Sequence, residues 1–174
     1  VTGDHDGGFA PAEFLVENAG LLPRGRVLDV AAGNGRNAVY LAGLGFNVTG
    51  IDRSEEAVTA ALEAARQAGV SVDMRVADLE VGQPIQADAY DVIICFNYLQ
   101  RSLFPQIKAG VRRGGLVVYE TFTIDQAQFG RPRNPDFLLK YNELLDMFRD
   151  FRCRLYREGV FGGKAIASIL AEKV

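Results

Sequence analysis

Gly33 and Gly35 make a Gly-x-Gly turn between the apolar run Val27-Leu28-Asp29-Val30 and a helical pattern from Arg36 to Leu44 that ends at Gly45. A strand, a glycine turn and a helix start leave backbone N–H groups pointing outward, where a ligand can approach bare main chain. Asp29 stands inside the apolar run, four residues before Gly33. A carboxylate there is costly unless turn amides or a cationic ligand hold it. Two more acids close strand patterns: Asp52 after Phe46–Ile51, and Asp78 after Val72–Ala77. Ligands of an open parallel sheet sit at the carboxyl ends of its strands, and an acid at the second end suits the two hydroxyls of a ribose. Asp78, with the backbone at Leu79, can read an adenine edge by accepting from the exocyclic amine. One acid after a strand is commonly a turn former. Three in register beside a glycine turn describe a nucleotide-type pocket that also holds a negative charge.

A second group of residues follows the later strands. The run Tyr90–Phe96 leads into Asn97 and Tyr98, and Leu116–Thr121 carries Glu120 at its end. Tyr98 can orient a second substrate or pack as a pocket wall. Glu120 can serve as a base or pair with Arg131 or Arg133. Those two arginines stand in the proline-stiffened segment F-G-R-P-R-N-P at 129–135, either as an anion clamp or as a solvated surface pair. Arg101 is a further second-substrate candidate. Arg149, Arg152, Arg154 and Arg157 read as an exposed helix end and strand face. His5, between Asp4 and Asp6, is the single histidine. No second ligand cluster accompanies it, so no metal is expected.

The elements that must position these residues alternate between strands and helices. A short helix is expected over Pro11–Ala19. Ser54 caps a helix whose apolar stripe is Val58, Ala61, Leu62 and Ala65, with Glu55 and Glu56 in its first turn and Gly69 at its end. The link Glu80–Ala87 holds Gly82 and Pro84 and argues against a full helix. A helix follows over about Ser102–Val111, with Pro105 in its first turn. Arg113-Gly114-Gly115 reads as a turn, Phe122–Pro135 as a long link, and Asn142 as the cap of a helix through Phe148. Phe151–Glu158 and Lys164–Glu172 form a hairpin joined by Gly159, Gly162 and Gly163. Right-handed crossovers make such a chain a doubly wound, Rossmann-like α/β sheet, mostly parallel and closed by one antiparallel hairpin. The expected division is an arm and short helix over 1–25, a lid candidate, and one domain over 26–174.

The chain has 174 residues, enough for one well-buried core. Its net charge of −3 gives no global reason to expect nucleic acid or an anionic membrane surface. No apolar run approaches bilayer-spanning length and no charged-plus-apolar leader opens the chain; the cytoplasmic setting that is expected comes from the cysteines. Cys95 and Cys153 read as two buried, unpaired hydrophobes, which agrees with a reducing compartment.

L-D-V-A-A-G-N-G at 28–35, Asp52, A-D-L at 77–79, Y-D-V-I-I-C-F-N at 90–97 and R-R-G-G-L-V-V-Y-E at 112–120 together resemble the class I S-adenosylmethionine-dependent methyltransferases. Within that class, G-N-G-R-N-A at 33–38 is most similar to the small tellurite-resistance-type methyltransferases. The resemblance implies a seven-stranded sheet and S-adenosylmethionine as cofactor. It assigns Gly33 and Gly35 to the methionine part, Asp52 to the ribose, and Asp78 and Leu79 to the adenine. Asp29 would hold the glycine turn and the methionine ammonium, and Asn34, Arg53, Phe96 and Asn97 complete the expected cofactor set. Tyr98, Glu120 and Arg131 are the expected catalytic residues.

The spacing at 33–38 also satisfies the G-x-G-x-x-A of dinucleotide folds, which leaves a nicotinamide-dependent oxidoreductase as the rival. Asp29 argues against it, because a pyrophosphate is repelled there whereas an ammonium and a sulfonium are not. A third reading is a non-catalytic protein that binds S-adenosylmethionine. Asn97-Tyr98-Leu99-Gln100 stands where an Asn- or Asp-Pro-Pro-Tyr motif would mark amino-directed DNA or protein-glutamine methylation. A small-molecule acceptor is therefore expected: a thiol, a chalcogen oxyanion or a carboxylate-bearing compound.

Overall fold

The structure, a computed structural model, describes residues 8–174. Five parallel strands are β1 (Arg26–Val30), β2 (Asn47–Asp52), β3 (Asp73–Val76), β4 (Tyr90–Phe96) and β5 (Val111–Phe122). With the hairpin of β6 (Arg152–Phe161) and β7 (Lys164–Glu172) they form one seven-stranded sheet in the order β3-β2-β1-β4-β5-β7-β6. β7 runs antiparallel between β5 and β6. The Rossmann-like α/β architecture expected from the sequence is the one observed.

β1 and β4 lie at the centre because both are buried on both faces by apolar side chains, with Asp29 the one buried charged residue of β1. Val27, Leu28, Val30, Val92, Ile93 and Ile94 have no exposed surface. Each such side chain contributes about 1.5–3 kcal/mol by leaving water, which favours a doubly covered parallel strand over an alternating one. One face packs against α1 (Glu13–Asn18), α2 (Arg36–Gly43) and α3 (Glu55–Ala68), through Leu15, Leu41 and Ala65. The other packs against α4 (Phe104–Gly110) and α5 (Glu143–Met147), where Phe104 stacks on Tyr119 with ring centroids 5.0 Å apart. Ser54 caps α3 by accepting from the Ala57 amide at 3.1 Å, and Gly69 ends it in the left-handed region.

Several expectations are corrected. Leu62 is exposed; the buried stripe of α3 is Val58, Ala61 and Ala65. Arg113-Gly114-Gly115 is not a turn before the fifth strand but a part of β5, at a register irregularity between Tyr90 and Val92 of its neighbour. Gly114, at φ 81°, donates to the Lys173 carbonyl there at 2.7 Å. Asn142 does not cap α5 with its side chain: it is itself left-handed at φ 61°, and its amide donates to the Glu158 carboxylate. Cys153 is exposed on the edge strand, whereas Cys95 is buried. The link after Phe122 contains 3-10 turns at Ile124–Gln128 and Pro135–Phe137. The Asp4-His5-Asp6 stretch, with the rest of residues 1–7 of the lid candidate, lies outside the described residues.

Gly35 connects the fold to the site. It precedes α2 at φ 78°, and a β-carbon placed on it would lie 2.6 Å from the Ala61 β-carbon of α3. Both the backbone and the helix–helix approach therefore require glycine. Gly35→Ala should lower unfolding free energy by about 2–3 kcal/mol, from the left-handed penalty and overpacking together. Urea denaturation should show a lower midpoint at unchanged slope.

Candidate functional site

The carboxyl ends of β1, β2, β4 and β5 meet above the crossover between β1 and β4, where the strand order reverses. Ala32 donates to the Ile51 carbonyl at 3.0 Å, and the Gly33 amide donates to Asp52 Oδ2 at 2.8 Å. The Ser54 amide donates to the other Asp52 oxygen at 2.9 Å. Asp52 thus fixes the glycine turn to the end of β2 and keeps acceptor capacity on both oxygens, since each carboxylate oxygen can accept more than once. Ala31, just past β1, adopts φ 55°, a costly conformation for a residue with a β-carbon. Alanine carries no local mark of that conformation, so the sequence could not single it out.

Asp29 is the electrostatic centre. It is 2% exposed, and its Oδ2 has no hydrogen-bond partner among the described residues. Burial pushes its carboxyl up to about 8, and the nearby Asp52 charge adds to the effect. The Arg36 charge and the Ala38 amide pull the other way and offset only part of it. A buried acceptor with no partner beside an open glycine turn fits the ammonium of an amino-acid ligand.

The remaining residues named from the sequence fall in three places. Gly33, Asn34 and Gly35 form the turn, and the Asn34 side chain accepts from the Arg36 amide at 3.4 Å. Arg53 and Asp78 are exposed, Asp78 accepts from the Glu80 amide at 2.8 Å, and Leu79 is buried. Phe96 is buried at the end of β4, while Asn97 is exposed at φ 57° and donates its amide to the Glu120 carbonyl at 2.9 Å. The Tyr98 hydroxyl donates to Gln100, whose amide nitrogen donates to the Leu79 carbonyl at 3.2 Å. That strap ties the end of β4 to the loop carrying Asp78, and burial pushes the Tyr98 phenol up to about 12.

Glu120 pairs neither with Arg131 nor with Arg133. Its Oε2 accepts from the Ser168 hydroxyl at 2.6 Å and from Arg157 at 3.4 Å. The sheet register explains this: Glu120 lies opposite Ser168, and Ser168 lies opposite Arg157, in one row across β5, β7 and β6. Arg157 is sandwiched between the rings of Phe14 and Phe161, at 4.9 and 4.7 Å, and approaches Glu17 at 3.5 Å. Arg131 is exposed, and its carbonyl accepts from Gln126 at 3.1 Å; its side chain lies outside the cleft beside Glu120. Arg101 is committed to structure, binding Glu143 and the carbonyls of Asp136 and Leu138. Arg36, at the start of α2, and Arg157 and Lys164 of the hairpin line that cleft and were not among the sequence candidates; Arg157, expected on an exposed strand face, is half-buried there because the strand register brings the hairpin to Glu120.

A family model described as a methyltransferase domain matches residues 27–115, more than half of the chain. The chain belongs to the S-adenosylmethionine-dependent methyltransferases. A ubiquinone biosynthesis O-methyltransferase of Bordetella avium (strain 197N) is 33% identical over 122 residues, covering 67% of this chain and 51% of that protein. The same-named protein of Hahella chejuensis (strain KCTC 2396) is 36% identical over 88 residues, covering 51% and 37%. The chain therefore spans about half the length, or less, of these curated relatives. The crystal structure of TehB from Haemophilus influenzae superposes with a TM-score of 0.79 at 24% identity, covering 92% of this chain and 61% of that one. An S-adenosylmethionine-dependent methyltransferase from Mesorhizobium loti gives 0.75 at 17% identity, covering 95% and 100%. The expected likeness to the tellurite-resistance-type methyltransferases thus holds in the fold.

Asp29 has a stability consequence in the ligand-free methyltransferase. Its folded value is raised above the unfolded one, so its contribution is fully present below the unfolded value of 3.8 and is lost as pH rises through about 8. Unfolding free energies from urea denaturation between pH 5 and 8 should fall with a component of up to about 1.4 kcal/mol per pH unit. Asp29→Asn should remove that component and leave the slopes of the other groups.

Proposed function

We propose that this chain transfers a methyl group from S-adenosylmethionine to a small-molecule acceptor. The observation that carries the reading is the partnerless, buried Asp29 oxygen beside a glycine turn whose far side is braced by Asp52. That pair suits a ligand with an ammonium, which Asp29 can meet by ionising, and with ribose hydroxyls, which Asp52 can accept. When bound, the cofactor supplies an activated methyl on a sulfonium, open to in-line displacement.

The chain's own residues align and exclude water. Asp29 would receive the ammonium. Gly33, Asn34 and Gly35 would lie along the methionine part, Asp52 and Arg53 along the ribose, and Asp78 and Leu79 at the adenine. Phe96 and Asn97 would form the floor next to the transferred methyl. Tyr98, held by Gln100, would wall the pocket. Glu120 is committed to Ser168 and Arg157, which suits a positioning role better than proton abstraction. Arg131 takes no part in this proposal. Among the described residues no helix is long and apolar enough to cross a membrane, and a cytoplasmic setting belongs to the same proposal.

Calorimetric titration with S-adenosylhomocysteine should show micromolar binding. Asp52→Ala should weaken it by at least about 1.5 kcal/mol, roughly tenfold, because charge-assisted hydrogen bonds to the ribose are lost. NADH should not bind. Binding of NADH in preference to S-adenosylhomocysteine would return the oxidoreductase reading.

A further inference from the structure

The cleft beside Glu120 has a volume of about 240 Å³, smaller than the roughly 300–1,000 Å³ typical of drug-sized ligand sites. Arg36, Arg157 and Lys164 line it, against the carboxylates of Glu13 and Glu120. The three cations are not equivalent. Arg157 is already balanced by Glu120 and Glu17 and sandwiched between two rings, so it forms a fixed rear wall. Arg36 gives one contact to the Ala10 carbonyl at 3.2 Å, and neither it nor Lys164 forms an ion pair among the described residues. Pro11, Phe161 and Ile166 are apolar residues of the same lining.

Two cations with donors to spare, apolar residues lining the same cleft and a volume suited to a small molecule describe an amphiphilic anion. We infer that the acceptor is a small organic carboxylate whose anionic group is read by Arg36 and Lys164 and whose apolar part lies against Phe161. This rests on the methyl-transfer reading for the identity of the ligand as acceptor. The cation pair itself does not depend on it.

The test uses backbone amide NMR of the whole chain, with and without saturating S-adenosylhomocysteine, titrated with benzoate, its neutral analogue benzamide, and selenite. Benzoate should shift the amides of Asn97, Lys164 and Ile166 saturably, and benzamide should bind roughly tenfold more weakly, the effect of about 1.4 kcal/mol. Lys164→Glu and Arg36→Gln should each weaken benzoate by a similar factor and leave the benzoate–benzamide difference reduced. S-adenosylhomocysteine titrations of each variant separate loss of the cofactor pocket from loss of the anion subsite. Equal binding of benzamide and benzoate, or no saturable shift by benzoate, overturns the inference. Selenite displacing benzoate at lower concentration overturns it in favour of an inorganic oxyanion. If benzoate binds and S-adenosylhomocysteine does not, the anion subsite stands and the methyl-transfer reading fails.

Discussion

A carboxylate buried in the central strand is the constraint on which this structure depends. Asp29 sits between β2 and β4, opposite Gly50 and Ile94, where the sheet is covered on both faces. In that place an ionised side chain without a partner is unfavourable by several kcal/mol, and the chain relieves the cost by raising the carboxyl's affinity for a proton. Around it the backbone turns sharply through Ala31, Gly33 and Gly35, all left-handed. Space is close at Gly50 too: a β-carbon there would lie 2.4 Å from the sulfur of the flexible Met74 side chain, which would have to move, and 3.2 Å from the Ala32 β-carbon. The site is thus a local loss of stability held in place by a large core.

The rest of the architecture supplies position. Parallel pairing of β1 with β2 and β4 brings the glycine turn, Asp52 and Asn97 to one rim, although they are far apart in sequence. The antiparallel hairpin does the corresponding work on the other side, carrying Arg157, Ser168 and Lys164 to Glu120. The two halves have different electrostatic character: a buried acid beside the glycine turn, and cations lining the cleft by the hairpin. A cationic cofactor on one side and an anionic acceptor on the other agree with that polarity.

Much of this was legible in the residues. The strand–turn–helix at 26–44, the acid closing β2 and the apolar run of β4 follow from local periodicity and glycine placement, and the structure has them. The terminal hairpin was legible from its glycines. What local pattern could not supply was register. Proximity in sequence points Glu120 to Arg131 and Arg133, whereas its partners lie 37 and 48 residues away. Leu62 and Cys153 were misplaced for a related reason: whether an apolar residue at a strand edge or helix flank is covered depends on what packs above it. Asn142 follows the opposite pattern, a residue type suited to capping that is used instead for its tolerance of a left-handed backbone.

If Asp29 receives a cation, ligand binding must be linked to the proton that Asp29 gives up. Calorimetric titration with S-adenosylhomocysteine at pH 7, repeated in buffers of different ionisation enthalpy, counts the protons exchanged on binding. With its carboxyl raised to about 8 in the ligand-free protein, Asp29 is mostly protonated at that pH and must ionise to meet an ammonium. The account predicts release of nearly one proton on binding, and none in Asp29→Asn if that variant still binds. Binding without proton release, or the same release from both proteins, would contradict it.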